Sequence, residues 1–332
     1  MSVNEDHPFH RLTPDFILAA AESRGYVTDG RLLALNSYEN RVYQIGIEDA
    51  QPLIAKFYRP GRWTDEQIRE EHAFCFELAA QDLPVVTPLG GSPVDSLLHV
   101  EEFPIAFYPR RGGRAPDLDD DENLRTMGRY LARMHTVGAG RPFEYRPAIN
   151  VGSFGIESVA YVSGNCIPDD LRAAYESLTV DLLRLCDERF TICKDVRILR
   201  VHGDCHHGNI LWRDDAPHFV DFDDARMAPA VQDLWMLLSG HRDEQRAQFN
   251  AILEGYHEFA DFDLHEMALI EALRTLRMLH YAAWLARRRD DPAFPLAFPW
   301  FNTQAYWEQH VLELREQFAE LCEPLWSGEM LH

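Results

Sequence analysis

No run of residues in this 332-residue chain approaches the roughly 20 apolar positions that span a bilayer, so a membrane-crossing helix is not expected. The opening residues, Met-Ser-Val-Asn-Glu-Asp, are acidic and lack a signal-peptide pattern. None of the six cysteines, at 75, 166, 186, 193, 205 and 322, forms a Cys-x-x-Cys pair. Several lie in apolar stretches that read as core, which points to a reducing cytosol and a cytoplasmic protein. Positive charge is scarce: 32 Lys and Arg stand against 54 Asp and Glu, a formal charge of −22. Such a chain repels nucleic acid and anionic membrane unless its cations are segregated. The clusters present are short, Arg110, Arg111 and Arg114 and the run Arg287 to Arg289. That run reads as a solvated helix end in preference to a dock for an acidic segment. There is no internal repeat and no low-complexity tract.

What is present is a chain long enough for two lobes, with 46% hydrophobic residues to build their cores. Alternation predicts strands over Arg41–Ile47, Pro52–Tyr58 and Phe103–Tyr108. One helix interrupts them: Thr64 is its N-cap, Gln67 completes a capping box, and Ile68, Glu71, Cys75 and Leu78 share a face. Pro109-Arg-Arg-Gly-Gly113 is turn chemistry and a natural hinge. Beyond it, Leu124, Met127, Leu131 and Met134 mark a helix, and further helices are expected over 169–188, 231–238, 243–258 and 264–288. The fold class expected is α+β and bilobal, with a sheet-containing lobe over 1–108 and a larger, mainly helical lobe over 109–332. A cleft between them is a natural ligand site.

The segment between the helices carries the chemistry. His202-Gly-Asp204-Cys-His-His-Gly-Asn209-Ile-Leu-Trp212 is followed by Phe219-Val-Asp221-Phe-Asp-Asp224. An Asp, then an Asn five positions on, then an Asp closing an apolar strand, is the spacing of a kinase catalytic loop and its metal-binding aspartate. Phosphoryl transfer asks for positioning above all. One carboxylate, Asp204, takes or orients the acceptor hydroxyl proton, while Asn209 and Asp221 hold Mg²⁺ on phosphate oxygens. Each alone could be a turn residue or a strand end; the three together favour chemistry. A zinc site built from His202, Cys205, His206 and His207 has the wrong spacing. His202, Cys205 and His207 read as structural, and His206 stays open between a phosphate contact and a structural hydrogen bond. Asp223 and Asp224 are expected on backbone donors, with a hold on the metal through water as the alternative for one of them. Asp233 reads as a buried brace for the loop, with an ordinary first-turn acid as the alternative.

For the non-transferred phosphates of ATP the candidate cation is Lys56, costly in an apolar strand unless it meets a charge. Glu71, an acid on a buried stripe, is its expected partner, whereas Glu70 reads as solvated. No Gly-x-Gly-x-x-Gly loop is present. Leu35-Asn-Ser37-Tyr-Glu-Asn-Arg41 stands in its place, with Ser37 chosen for the phosphate contact.

These strings resemble a known family. His202–Trp212 is similar to the catalytic loop of the aminoglycoside phosphotransferase and choline kinase superfamily, which shares the protein-kinase fold. Asn36–Tyr43, Lys56–Pro60, Ala230–Leu238 and Asp291–Pro295 resemble the bacterial stress response kinase A family, the YihE-type protein kinases. The resemblance implies a cytoplasmic, monomeric serine/threonine protein kinase that uses ATP and Mg²⁺ and serves survival under stress. It places the catalytic aspartate on Asp204, the metal ligands on Asn209 and Asp221 and the phosphate-loop serine on Ser37. A protein substrate is thereby expected, with autophosphorylation as a compatible reaction. The catalytic residues alone also suit a small alcohol such as choline, homoserine or an aminoglycoside, and a nucleotide-binding pseudokinase is the third alternative.

Overall fold

The computed structural model describes residues 8–35 and 37–323. Asn36 and the acidic N-terminus discussed above lie outside them. Helix α1 (Pro14–Glu22) starts where Thr13 caps it, its hydroxyl accepting from Phe16 N, with Pro14 supplying a first-turn φ. There follow β1 (Thr28–Ala34), β2 (Arg41–Ile47), β3 (Leu53–Phe57), α2 (Asp65–Ala79), β4 (Leu98–Val100) and β5 (Phe103–Pro109). The strands form one antiparallel sheet in the order β1-β2-β3-β5-β4. Ile45, Leu53, Ala55, Phe57, Phe103 and Ile105 bury one face against Ile17, Ala20 and Ala21 of α1. The pleat turns Ile54 and Lys56 to the other face, into a cleft. Helix α2 has the expected capping box, Thr64 with Gln67. Its stripe is buried, and Phe74, Cys75 and Leu78 join a second and larger core.

That second core is built by α3 (Asp121–Gly138), α4 (Glu157–Asn165), α5 (Asp169–Ile192), α6 (Val231–Trp235), α7 (Arg242–Tyr256), α8 (Ile270–Arg287), α9 (Phe294–Ala297) and α10 (Gln304–Cys322). Leu124, Met127, Leu131 and Met134 of α3 are all buried, as their spacing predicts. A Cβ on Gly128 would lie 1.9 Å from Ile252 O of α7, so this glycine sets how closely the two helices cross. The segment expected to be one helix over 264–288 begins as a 3₁₀ turn, Leu264–Leu269, before α8.

Between the helices run two short ribbons, β6 (Leu199–Val201) with β9 (Arg226–Ala228), and β7 (Ile210–Arg213) with β8 (Ala216–Phe219). The loop after α2 is tied to β8 by Phe219 N donating to Pro84 O (2.8 Å) and Val86 N to Phe219 O (3.0 Å). The sheet and the segment carrying the two ribbons are thereby held on either side of one cleft. Among the described residues no helix is long and apolar enough to cross a membrane, and all six cysteines are free thiols.

Candidate active site

Strand β6 delivers the chain into His202-Gly203-Asp204. Gly203 has φ +81°, and a Cβ there would fall 2.2 Å from Asp224 O. Only glycine lets the loop lie against the 223–224 segment. The loop is braced from beneath by Asp233, fully buried, whose two carboxylate oxygens accept from His202 N and Gly203 N at 2.8 Å each. His135 Nε2 lies 3.1 Å from the same carboxylate. The brace anticipated for Asp233 is therefore what the structure contains. His202 packs on Phe222, ring centroids 4.5 Å apart, and its Nε2 donates to Val220 O at 2.9 Å. Cys205 is buried and His207 exposed.

Asp204 is gripped on both oxygens. Asn209 Nδ2 donates to Asp204 O (2.9 Å) and to its Oδ2 (3.3 Å), and His206 Nε2 lies 3.5 Å from Oδ2. Arg277 Nη1, from α8, stands 2.6 Å from Oδ1. Burial would raise the carboxyl pKa, but His206 and Arg277 outweigh it and hold Asp204 below its ordinary value. His206 Nδ1 also accepts from Gly208 N (2.9 Å), so of its two readings the structural hydrogen bond is present.

Asp221 follows β8 with φ 60° and ψ 64°, a left-handed conformation unusual for a residue with a side chain. Such strain persists where the surroundings impose it, commonly at functional sites. Its Oδ1 is 3.0 Å from Lys56 Nζ, which also meets Asp223 Oδ1 at 3.2 Å and Glu71 Oε1 at 3.5 Å. Burial works against the ammonium, yet Asp221, Asp223 and Glu71 together hold its pKa well above the usual lysine value. The Lys56–Glu71 pair expected from the sequence is present. Its acid is shared with the buried Arg146, whose Nη2 reaches Glu71 Oε2 at 2.9 Å.

Several expectations are corrected. Asp223 and Asp224 meet cations, not backbone donors: Asp223 pairs with Lys56 and Arg62, and Asp224 with Arg62 (2.7 Å) and Arg226 (3.3 Å). These guanidinium groups overcome burial and depress both carboxyls below the ordinary range. Glu70 is not simply solvated. Its carboxylate accepts three consecutive backbone N–H groups, from Glu144, Tyr145 and Arg146. Arg62, Arg146 and Arg277 were not singled out from the sequence, because nothing local distinguishes them from other arginines.

Ser37 stands at the mouth of the site, its hydroxyl 3.4 Å from Asn40 O. The loop is pinned to the helical side by its next two residues. Tyr38 sits edge-on among Trp284, Phe294 and Phe298. Glu39 accepts from Trp284 Nε1 (2.5 Å) and Arg59 Nε (3.1 Å) and pairs with Arg288.

Two cavities open here. One, of about 370 Å³, is lined by Leu35, Val42, Ile54, Val86 and Leu211 around Lys56. The other, of about 410 Å³, holds Asp204, Arg277, Tyr281 and Trp284. Ser37, Gly208, Asn209 and Asp221 line both. No group of three or more His, Cys, Asp or Glu able to hold a metal ion occurs among the described residues. Asn209, its amide nitrogen engaged by Asp204, keeps Oδ1 free, and the Asp221 side chain is half exposed. These two oxygens suit Mg²⁺, which commonly binds one or two protein groups and completes its shell with phosphate oxygens and water.

Residues 31–270 match the phosphotransferase enzyme family. The chain is 44% identical over 322 residues to stress response kinase A of Escherichia coli (strain K12), covering 97% of each chain. It is 44% identical over 317 residues to the serine/threonine protein kinase RdoA of Salmonella typhimurium, covering 95% of each. Among solved structures, an amicoumacin kinase in complex with AMP-PNP, Ca²⁺ and Ami superposes with TM-score 0.69 at 18% identity, over 92% of this chain and 96% of that one, a likeness of fold. On this evidence the chain belongs to the phosphotransferase enzyme family and, within it, to the stress response kinases.

Proposed function

We propose that this kinase transfers the γ-phosphate of ATP to a serine or threonine hydroxyl of a protein, with Asp204 as the base. The observation that carries the reading is the meeting of the two cavities at Ser37, Gly208, Asn209 and Asp221. A nucleotide in the apolar cavity would bring its phosphates to that junction, and an acceptor in the other would meet them beside Asp204. Lys56 fixes the non-transferred phosphates, Glu71 braces Lys56, and Ser37 closes over the phosphates. Asn209 and Asp221 hold Mg²⁺, which when bound neutralises charge on the phosphate oxygens. The acceptor O–H passes its proton toward Asp204 as the new O–P bond forms. The bond from the γ-phosphorus to the bridging oxygen breaks, and ADP leaves. In this reading residues 1–108 are the nucleotide lobe, and residues 109–332 carry the catalytic loop, the metal site and the acceptor helices. A monomer able to modify itself is part of this reading; action in the cytoplasm accords with the free cysteines, and a role under stress with the relatives' names.

A second reading, a small-alcohol kinase, is favoured by the acids around the acceptor cavity, Glu39, Asp204, Asp223 and Asp224. Labelled phosphate transfer with wild type and Asp204→Asn decides. The expected result is label on protein Ser or Thr, reduced about 10²–10⁴-fold in the variant. Transfer confined to small alcohols replaces the protein acceptor with the second reading. Nucleotide binding without transfer to any acceptor reduces the chain to a pseudokinase.

A further inference from the structure

Residues 277, 281 and 284 follow one another by four and three positions, so they form one face of α8, which Arg288 continues as the residue after its end. The first three line the cavity that holds Asp204. From there an apolar ridge runs outward through ring contacts. Tyr281 stacks on Trp284 with centroids 5.8 Å apart and planes 11° from parallel. Trp284 meets Phe298 at 5.9 Å, and Phe298 meets Trp300 at 5.8 Å. Tyr281 is 46% exposed, Trp300 45% and Leu296 89%. A contiguous apolar surface that begins at a catalytic aspartate is a binding surface before it is anything else.

Cations stand at the far end of the helix. Arg287 and Arg289 are exposed, and among the described residues neither forms an ion pair, whereas Arg288 between them pairs with Glu39. Both side chains are nevertheless held in place. Arg287 lies over the Tyr161 ring at 4.9 Å, and Arg289 donates to Asn165 O at 3.2 Å. Both arginines lie within two residues of the end of α8, beyond its aromatic face, so positive charge without a carboxylate stands at the end of the ridge. Ordered guanidinium groups are suited to carboxylates, which they bind with little loss of side-chain freedom.

We infer that this side of α8 is a docking track for the acceptor polypeptide, receiving a large apolar side chain on Tyr281 and Trp284 and a carboxylate on Arg287 and Arg289. The inference rests on the protein-acceptor reading and adds the class of sequence accepted. Arg277, at Asp204, and Arg287 are ten helical residues apart, about 15 Å, which extended chain covers in about four to five residues. The preferred acceptor therefore carries an acidic residue about that far from its Ser or Thr, with an aromatic or large aliphatic residue between. A small alcohol could not span the track.

The test uses serine peptides with an aromatic neighbour and Asp, Ala or Lys placed four and five positions to either side, phosphorylated by wild type, R287E/R289E and Tyr281→Ala. The Asp peptides on one side are expected to exceed the Lys peptides about fivefold in kcat/KM, the size that two exposed ion pairs support. The double charge reversal should invert that order, and Tyr281→Ala should raise KM for peptide with KM for ATP unchanged. Equal kcat/KM for Asp and Lys peptides in wild type, or a preference that survives the reversal, overturns the track while leaving the protein-kinase reading in place. Labelling of small alcohols and of no peptide removes that reading and the track with it.

Discussion

Arg277 Nη1 lies 2.6 Å from Asp204 Oδ1 in the cavity they both line, joining α8 to the loop that follows β6. With Asn209 on Oδ2 the carboxylate is fixed from both sides. Loss of this ion pair leaves Asp204 held on Oδ2 alone and its charge less balanced beside Asp224. Arg277→Ala is expected to lower kcat about tenfold, the effect of about 1.4 kcal/mol on the barrier, with KM for ATP unchanged. Arg277→Lys should recover part of the loss, since it restores the charge without the planar fork. An unaltered kcat in the alanine variant would mean that the pair is only a surface contact.

Lys56 is one of two lysines in the chain, the other being the exposed Lys194; the remaining thirty Lys and Arg residues are arginine. A compact ammonium can sit at once on Asp221, Asp223 and Glu71 where a guanidinium fork would not fit. An acyl-phosphate derivative of ATP should therefore acylate Lys56 and spare Lys194, and peptide mass spectrometry separates the two. Lys56→Met should abolish labelling and lower kcat/KM by about 10² or more. Labelling of Lys194 alone would place the nucleotide elsewhere.

How far the sequence foretold this site depends on the range of each interaction. The Thr64–Gln67 cap, the α2 stripe and strands β2, β3 and β5 are local patterns, and the structure contains them. Asp204, Asn209 and Asp221 fall within one short segment, so their meeting follows from a loop and a ribbon. Strand β1, with Gly30 and largely exposed, and the three-residue β4 lack the alternation that marks a strand. The arginine partners of Glu71, Asp223 and Asp204 were illegible because they come from afar. Arg62 and Asp223 are 161 positions apart, and Arg146 and Glu71 are 75. No periodicity in one segment encodes such a pairing. The scarcity of lysine was a readable signal, since it isolates Lys56 without any structure.

Asp291 is buried, and its two oxygens meet Arg41 and Arg59 at 2.8 Å each, while Oδ1 also accepts from Ala293 N. Both arginines flank the Ser37 loop, so this acid fastens the loop to the chain beyond α8. Among the described residues, Asp291→Ala leaves Arg41 with only backbone oxygens and Arg59 with Glu39 as its one acid, and should cost about 3 kcal/mol of stability, read by urea unfolding. It should also raise KM for ATP, because Ser37 loses its anchorage. A stable variant with an unchanged KM would show that Tyr38 and Glu39 alone suffice.

Glu266, buried within the turn before α8, accepts from Val231 N at 2.7 Å, and burial pushes its pKa up to about 8. The unfolded carboxyl titrates near 4.5. Between these values the folded state holds a proton that the unfolded state has released, so stability falls as pH rises through the window and levels off above it. The full effect is on the order of 5 kcal/mol. Glu266→Gln keeps an acceptor for Val231 N without the titration. Its stability should therefore run flatter with pH and exceed wild type at pH 8.5, by urea midpoints measured from pH 5.5 upward. Parallel curves for the two proteins would show that Glu266 stays ionised in the fold, compensated by groups other than Val231 N.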